Sequence, residues 1–374
     1  MSNALAPLAF WLLPLSIGWG ATAMAGPILG PALGGVITDL ASWRWVFAIN
    51  LPLGALAILG IGWVLPRTAL VKDLAIDVVG IALLAIAIAA LQLSLARGMD
   101  QSWLNSPELL AETTIAAVAF VAIAVRVGRG RFTVFRTDLF RDVNFAAAAF
   151  YNFMTSALLF VVIVFVPALG QGPLGYGATL AGFTLVPRGI VMMLTMLLVG
   201  QFIAKIGFRI VLTIGIGLMA AGLAMLSAVQ PQAAVSWLVI GSTLQSVGGG
   251  MLFTGLSTLG FATLAPDMRT DAAGVYSLLR QLGCASGVAL MTAVLRSQVD
   301  ANLIDLGLIA PGLIDLGAQA SGPGAALSAQ LINGATLLAY KTCFQAMAVA
   351  ALIMIPGIWL FRLGFNGGSI KNAL

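Results

Sequence analysis

The stretch "GPILGPALGG", Gly26 to Gly35, sits inside an otherwise unbroken apolar run, yet most of it is glycine or proline. These are the two poorest helix formers. Gly26, Gly30 and Gly34 are four apart, so a helix places them on one face. Such a bare face lets a second backbone approach closely. Pro27 and Pro31 remove two backbone hydrogen bonds, free the carbonyls of Ala23 and Pro27, and bend the helix. A lone glycine pair at this spacing is ordinary packing. Three glycines interleaved with two prolines specify a bent helix with one close-packed face.

The run around this stretch recurs along the chain. Of 374 residues, 60% are hydrophobic and only 8% charged, against about 25% charged in soluble domains. A soluble globular reading is excluded. Apolar runs long enough to cross a bilayer predict about ten transmembrane helices. They fall near 12–38, 45–65, 77–96, 111–128, 145–168, 178–200, 210–229, 235–258, 273–295 and 342–362. Between the last two, about 297–340 reads as an external loop with a short amphipathic helix.

Lysine and arginine set the orientation. With the N-terminus inside, the inner loops hold Arg67, Lys72, Arg126, Arg129, Arg131, Arg136, Arg141, Lys205, Arg209, Arg269, Arg280, Arg362 and Lys371. The outer side holds only Arg44, Arg97, Arg296 and Lys341. This bias follows the positive-inside rule and makes both termini cytoplasmic. The net charge of +5 therefore reports topology, and no nucleic-acid partner is expected. Trp43 and Trp45 fall at the outer interface as anchors, and Asn50 reads as a helix–helix hydrogen-bonding residue.

Two cysteines and no histidine leave no basis for a metal site. Cys284 and Cys343 belong to opposite membrane levels, too far apart for a disulfide. No P-loop is present, and no paired acids or Ser/His constellation lies in the spans, so the chain is not expected to be an enzyme. No polar ring marks a channel. Met1 to Thr38 carries no charge, which predicts that the first span is not the natural first one.

"GPILGPALGG" followed by "SWRWVFAINLPLG" (Ser42–Gly54) resembles the antiporter motif and next helix of the major facilitator superfamily. The likeness is to its 14-span drug:proton antiporter branch, the EmrB/QacA type. "GYGATLAGFTLVPRG" (Gly175–Gly189) resembles that family's outer loop and tenth span. "GQFIAKIGFR" (Gly200–Arg209) resembles the C-terminal copy of its inner-loop motif. Gly200, Lys205, Gly207 and Arg209 match, and Ala204 stands where the motif has Asp. "AAGVYSLLRQLGCASGVALM" (Ala272–Met291) and "INGATLLAYKTCFQAM" (Ile332–Met347) resemble the last two spans.

The resemblance implies an all-α helical bundle whose spans correspond to the family's fifth to fourteenth, a fragment lacking the first four. Residues 1–65 would be the remainder of the N-terminal bundle. Residues 66–143 would be a linker region with two inserted spans and a basic loop, and 144–374 a six-span C-terminal bundle. Gly26, Pro27, Gly30, Pro31, Gly34 and Gly35 would form the antiporter gate. The family's central cavity would be lined by Asn152, Phe153, Met154, Thr155, Met192, Gln245 and Met251, each of which also suits plain packing. Arg188, the one charge deep in a span, suits gating or substrate-path electrostatics, or a structural pairing with carbonyls freed by Pro187. Arg280 joins the candidate path or simply snorkels to headgroups, and Gly283 and Gly287 read as a packing face.

The function implied is a multidrug efflux permease of the bacterial inner membrane. It would export amphipathic compounds in exchange for protons by alternating access, conferring drug resistance, with the proton gradient in place of any cofactor. A periplasmic adaptor and outer-membrane channel are compatible partners. Two alternatives stay open: an exporter of one metabolite with this fold, and a truncated membrane protein that transports nothing.

Overall fold

The computed structural model describes residues 30, 33–64, 77–97, 106–130, 136–305 and 323–361. Among them every regular element is helical. The N-terminal part comprises α1 (33–40), α2 (Trp45–Ala48) and α3 (Asn50–Val64), followed by the pair α4 (Val78–Arg97) and α5 (Pro107–Gly128). The C-terminal bundle comprises α6 (Val143–Gln171), α7 (Ala178–Phe183), α8 (Val186–Ile206), α9 (Phe208–Ser227), α10 (Val235–Ala262), α11 (Arg269–Asp305) and α12 (Pro323–Ile353). The described residues contain seven helices long and apolar enough to cross a membrane.

Several expected spans differ in detail, each for a visible reason. Most of the first, 12–38, lies outside the described residues. The third, α4, runs Val78–Arg97, within a residue of the expected 77–96. The eighth, α10, is long but diluted by Gly, Ser and Gln, which it spends on packing inside the bundle. The sixth passes through a turn at Thr184 and Leu185, just before Pro187, where the backbone dihedrals stay helical. The expected outer loop at 297–340 is mostly helix: α11 continues to Asp305 and α12 begins at Pro323. Asn302 on one extension donates to the Ala335 carbonyl on the other at 3.0 Å, so the two helices support each other beyond the expected spans.

The helices end where the sequence supplies a stop. Asp142 caps α6 by accepting from the Phe145 amide at 2.9 Å. Gly207 alone joins α8 to α9, at φ +84° and ψ 159°, a conformation essentially reserved for glycine. Two residues on, Arg209 donates to the Phe361 carbonyl at 2.9 Å and lies over the Trp359 ring at 5.4 Å. This ties the inner-loop motif to the last of the described residues, beyond the end of α12.

The core belongs to the C-terminal bundle. Phe145, Phe165, Leu212, Met219, Leu223 and Phe344 are fully buried, and Tyr340 and Phe344 pack edge-on against Phe165. The crossing of α6 and α11 is built on Gly283 and Gly287, the packing face expected from their spacing. A Cβ at Gly287 would lie 2.6 Å from the Ala157 Cα, and one at Gly283 would overlap the Phe153 carbonyl. Cys284 and Cys343 are both free and buried.

The pair α4–α5 is pinned at both ends. Asp77 caps α4 through the Gly80 amide at 2.7 Å and meets Arg126 of α5 at 2.6 Å. At the other end Arg97 meets Glu112 at 2.8 Å and Glu108 at 3.7 Å. By contrast α3 buries none of its apolar surface against the described residues. Trp43 and Trp45 are exposed, and Asn50 is exposed too and takes no part in a described helix–helix hydrogen bond.

Candidate functional site

Helices α8 and α10 together position the one deeply buried cation among the described residues. Three successive glycines, Gly248 to Gly250, let neighbouring backbones close on α10. A Cβ at Gly249 would meet Leu159 of α6 at 2.6 Å, and one at Gly250 would meet the Met192 carbonyl of α8 at 3.1 Å. That close approach brings Arg188 of α8, only 5% exposed, between α6 and α10. Its Nη2 donates to the Leu159 carbonyl at 3.0 Å and to Gln245 Oε1 at 3.1 Å. Gln245 is fully buried and donates in turn to the Leu158 carbonyl at 3.1 Å. Ser246 donates to the Arg188 carbonyl at 3.0 Å.

The guanidinium is thus held by carbonyls of α6. The expected partners, carbonyls freed beside Pro187, do not supply these contacts. No described ion pair includes Arg188, and its Nε is buried without a partner. The same face of α6 carries Asn152, Thr155 and Ser156, all buried. Asn152 donates to the Tyr276 carbonyl of α11 at 2.9 Å. Its own oxygen and the hydroxyls of Thr155 and Ser156 are buried without partners. A polar seam with several unused groups is costly in an apolar interior.

Across α6 from this seam lies an apolar cavity of about 280 Å³ between α6, α11 and α12. Phe153, Met154 and Leu158 form one wall, Leu290 and Met291 the second, and Met347 and Met354 the third. Methionine side chains are unbranched and polarizable, so such walls adapt to ligands of varied shape. Leu158 belongs to both regions, its side chain in the cavity wall and its carbonyl on Gln245.

The sequence candidates therefore distribute over several places. Phe153 and Met154 line the cavity, while Asn152, Thr155, Arg188 and Gln245 form the seam. Met251 is buried beside Gly215 of α9, and Met192 packs against α10. Arg280 is half-buried on α11 beside Tyr276 and Cys284. Lys205 is exposed near the end of α8, and Gly200 has open space around it. Leu158, Met291, Met347 and Met354 were missed, since nothing in a lone apolar residue separates a cavity wall from a core. The run Gly248–Gly250 was the readable signal for the crossing that holds Arg188.

Of the antiporter stretch, Gly26, Pro27 and Pro31 lie outside the described residues. Gly30 and Gly34 have no described atom within 4 Å of a Cβ position. Gly35 makes the close approach: a Cβ there would sit 2.6 Å from the Ala178 carbonyl oxygen. One turn later Asp39 accepts from the Thr179 amide at 2.8 Å and from its hydroxyl at 2.5 Å. A carboxylate from α1 thus caps the first turn of α7, where the helix dipole favours negative charge. These bonds hold the Asp39 carboxyl below its ordinary range.

Comparison with known proteins fits this geometry. Residues 16–288 match the Major Facilitator Superfamily. Over 277 residues the chain is 29% identical to the Multidrug export protein EmrB of Haemophilus influenzae, covering 73% of this chain and 54% of that protein. It is 29% identical over 302 residues to Multidrug resistance protein 3 of Bacillus subtilis, covering 78% and 59%. It is 26% identical over 373 residues to EmrB of Escherichia coli K12, covering 94% and 71%. The chain spans little more than half the length of the first two relatives. With its helical bundle, its membrane-length apolar helices and this match over most of its length, the chain belongs to the Major Facilitator Superfamily, a family of membrane transporters and not of enzymes.

Proposed function

We propose that this protein works in a multidrug efflux permease of the bacterial inner membrane, exporting amphipathic compounds in exchange for protons by alternating access. The observation that carries the reading is the methionine-walled apolar cavity between α6, α11 and α12, whose adaptable lining suits apolar and amphipathic compounds of varied shape. Relatives named as multidrug export and resistance proteins support the same cargo class. In this reading residues 1–65 serve the N-terminal bundle, 66–143 the inserted pair and linker, and 144–374 the C-terminal bundle. The approach of Gly35 and Asp39 to α7 supports an outer gate, and both termini face the cytoplasm.

The test is coupled flux in proteoliposomes loaded with a pH-sensitive dye. A panel of amphipathic dyes and antibiotics of both charges is offered under an imposed proton gradient. Export of panel members that moves protons the opposite way, and stops when an ionophore collapses the gradient, is the expected result. Flux that ignores the gradient, or none for any panel member with folded protein, rules the reading out.

A further inference from the structure

We propose that the apolar cavity between α6, α11 and α12 is a seat for one acyl chain of a bilayer lipid, which enters it sideways from the hydrocarbon. This goes beyond the efflux reading: the chain is a resident that any cargo using the same cavity has to displace.

The shape of the cavity decides how it is reached. Its described lining falls within 153–161 of α6, 286–291 of α11 and 346–354 of α12, well inside the expected spans 145–168, 273–295 and 342–362. The inner end is shut where the Tyr151 hydroxyl donates to the Met354 carbonyl at 2.6 Å and its ring packs on Phe361. Toward the outer end, one turn past Val161, Phe165 packs edge-on against Tyr340 and Phe344. Between the helices, Gly287 closes on Ala157, and the Cys343 thiol reaches the Met291 carbonyl at 3.8 Å. The exposed members of the lining are Leu290, Ala346 and Ala350. Val349 and Ile353, beside the two alanines, are exposed as well. The mouth therefore opens at mid-span, through apolar surface of the kind that faces lipid, and toward neither aqueous side.

The chemistry of the lining decides what fits. Its one polar side chain among the described residues, Ser286, spends its hydroxyl on the Leu282 carbonyl at 2.6 Å. No charged residue belongs to that lining. A polar end drawn inside would lose its hydration without finding a partner, whereas an acyl chain has nothing along its length to pair. Left empty, a cavity of about 280 Å³ forfeits the dispersion contacts of its walls. That space is nearly twice the ~150 Å³ that accepts a benzene ring. Lipid chains are also the most concentrated apolar species at the mouth, so mass action fills the seat even at modest affinity. The flexible Met154, Met347 and Met354 conform to a chain that keeps changing rotamers.

The experiment places the full chain in nanodiscs of phosphatidylcholine carrying a photoactivated diazirine either at mid-chain or next to the ester carbonyl, and locates adducts by mass spectrometry. Met347 is 1% exposed, so a lipid reaches it only from inside the cavity. With the mid-chain label, adducts on Met347 are expected to exceed those on the more exposed Met193 and Met196 of α8 about fivefold. That is the population ratio given by roughly 1 kcal/mol of added contact. The label beside the ester should lose the excess. Ala350→Phe and Ala346→Phe narrow the mouth and should each cut the Met347 adduct about fivefold, with Met193 labelled as before. Met347 labelled no more than Met193, labelled equally from both diazirine positions, or undiminished by both substitutions overturns the proposal. The unaltered protein decides alone if the substituted ones do not fold. A cargo or a segment of this chain lodged in the cavity in place of lipid gives the first of those overturning results. Coupled flux without Met347 adducts defeats the seat and keeps the efflux reading, whereas Met347 adducts without coupled flux do the reverse.

Discussion

At Gly287 the room for a side chain is already occupied by the backbone of Ala157, so adding one methyl must push α6 and α11 apart. Gly287→Ala is expected to lower stability by about 1–3 kcal/mol, the usual cost of overpacking. Gly217→Ala, where nothing lies within 4 Å, should change the melting temperature in detergent little. Asp39 makes a pH-dependent prediction. Its carboxyl is held low because its ionised form accepts two bonds from Thr179. The contact is therefore fully present above the pKa of the free carboxyl, about 4, and is lost as pH falls through the lowered bound value. Spin labels at Leu40 and Leu180 should report a distance that widens only in strong acid in the unaltered protein. In Asp39→Asn the wider distance should appear at every pH; a distance indifferent to both changes would remove Asp39 from the gate. At this scale the sequence was partly legible. Arg188 stood out because a charge in a span is rare, whereas Asp39 looked like the mere end of an uncharged stretch, since its partner lies 140 positions away.

Among elements, the join between α8 and α9 depends on one residue. Gly207→Ala forces a Cβ into a backbone conformation that costs on the order of 1–3 kcal/mol, and should appear as a lower melting temperature without loss of helix by circular dichroism. The α4–α5 pair predicts a ranking. Asp77 and Arg126 are 7% and 25% exposed, while Arg97 is 55% exposed. Double-mutant cycles should therefore give a larger coupling for Asp77–Arg126 than for Arg97–Glu112, which is expected near or below about 1 kcal/mol. An equal or inverted ranking would show that burial is not what strengthens the first pair. Existence and type of the elements followed from apolar runs, because in hydrocarbon only a helix satisfies its own backbone. Their ends did not, since α11 and α12 continue beyond the expected spans as a mutually supported pair whose sequence is no longer uniformly apolar.

For the whole molecule, the arrangement of charges and the packing of helices give one topology to test. Arg136 pairs with Asp267 at 2.8 Å, and Arg209 reaches Phe361, so the loops expected on the inner side touch one another. A cysteine placed at Gly130 should react with an impermeant maleimide only from the cytoplasmic side, and one at Gly172 only from outside; reversed labelling would invert the orientation. The bundle was legible as a class from composition and as a family from its motifs. The cavity was not, because its walls are ordinary apolar residues that only the crossing of three helices brings together. The α4–α5 pair has a mechanical consequence. Its end charges answer each other, Asp77 to Arg126 and Arg97 to Glu112, so a force that would part the two helices meets an ion pair at either end, and the hairpin moves as one lever.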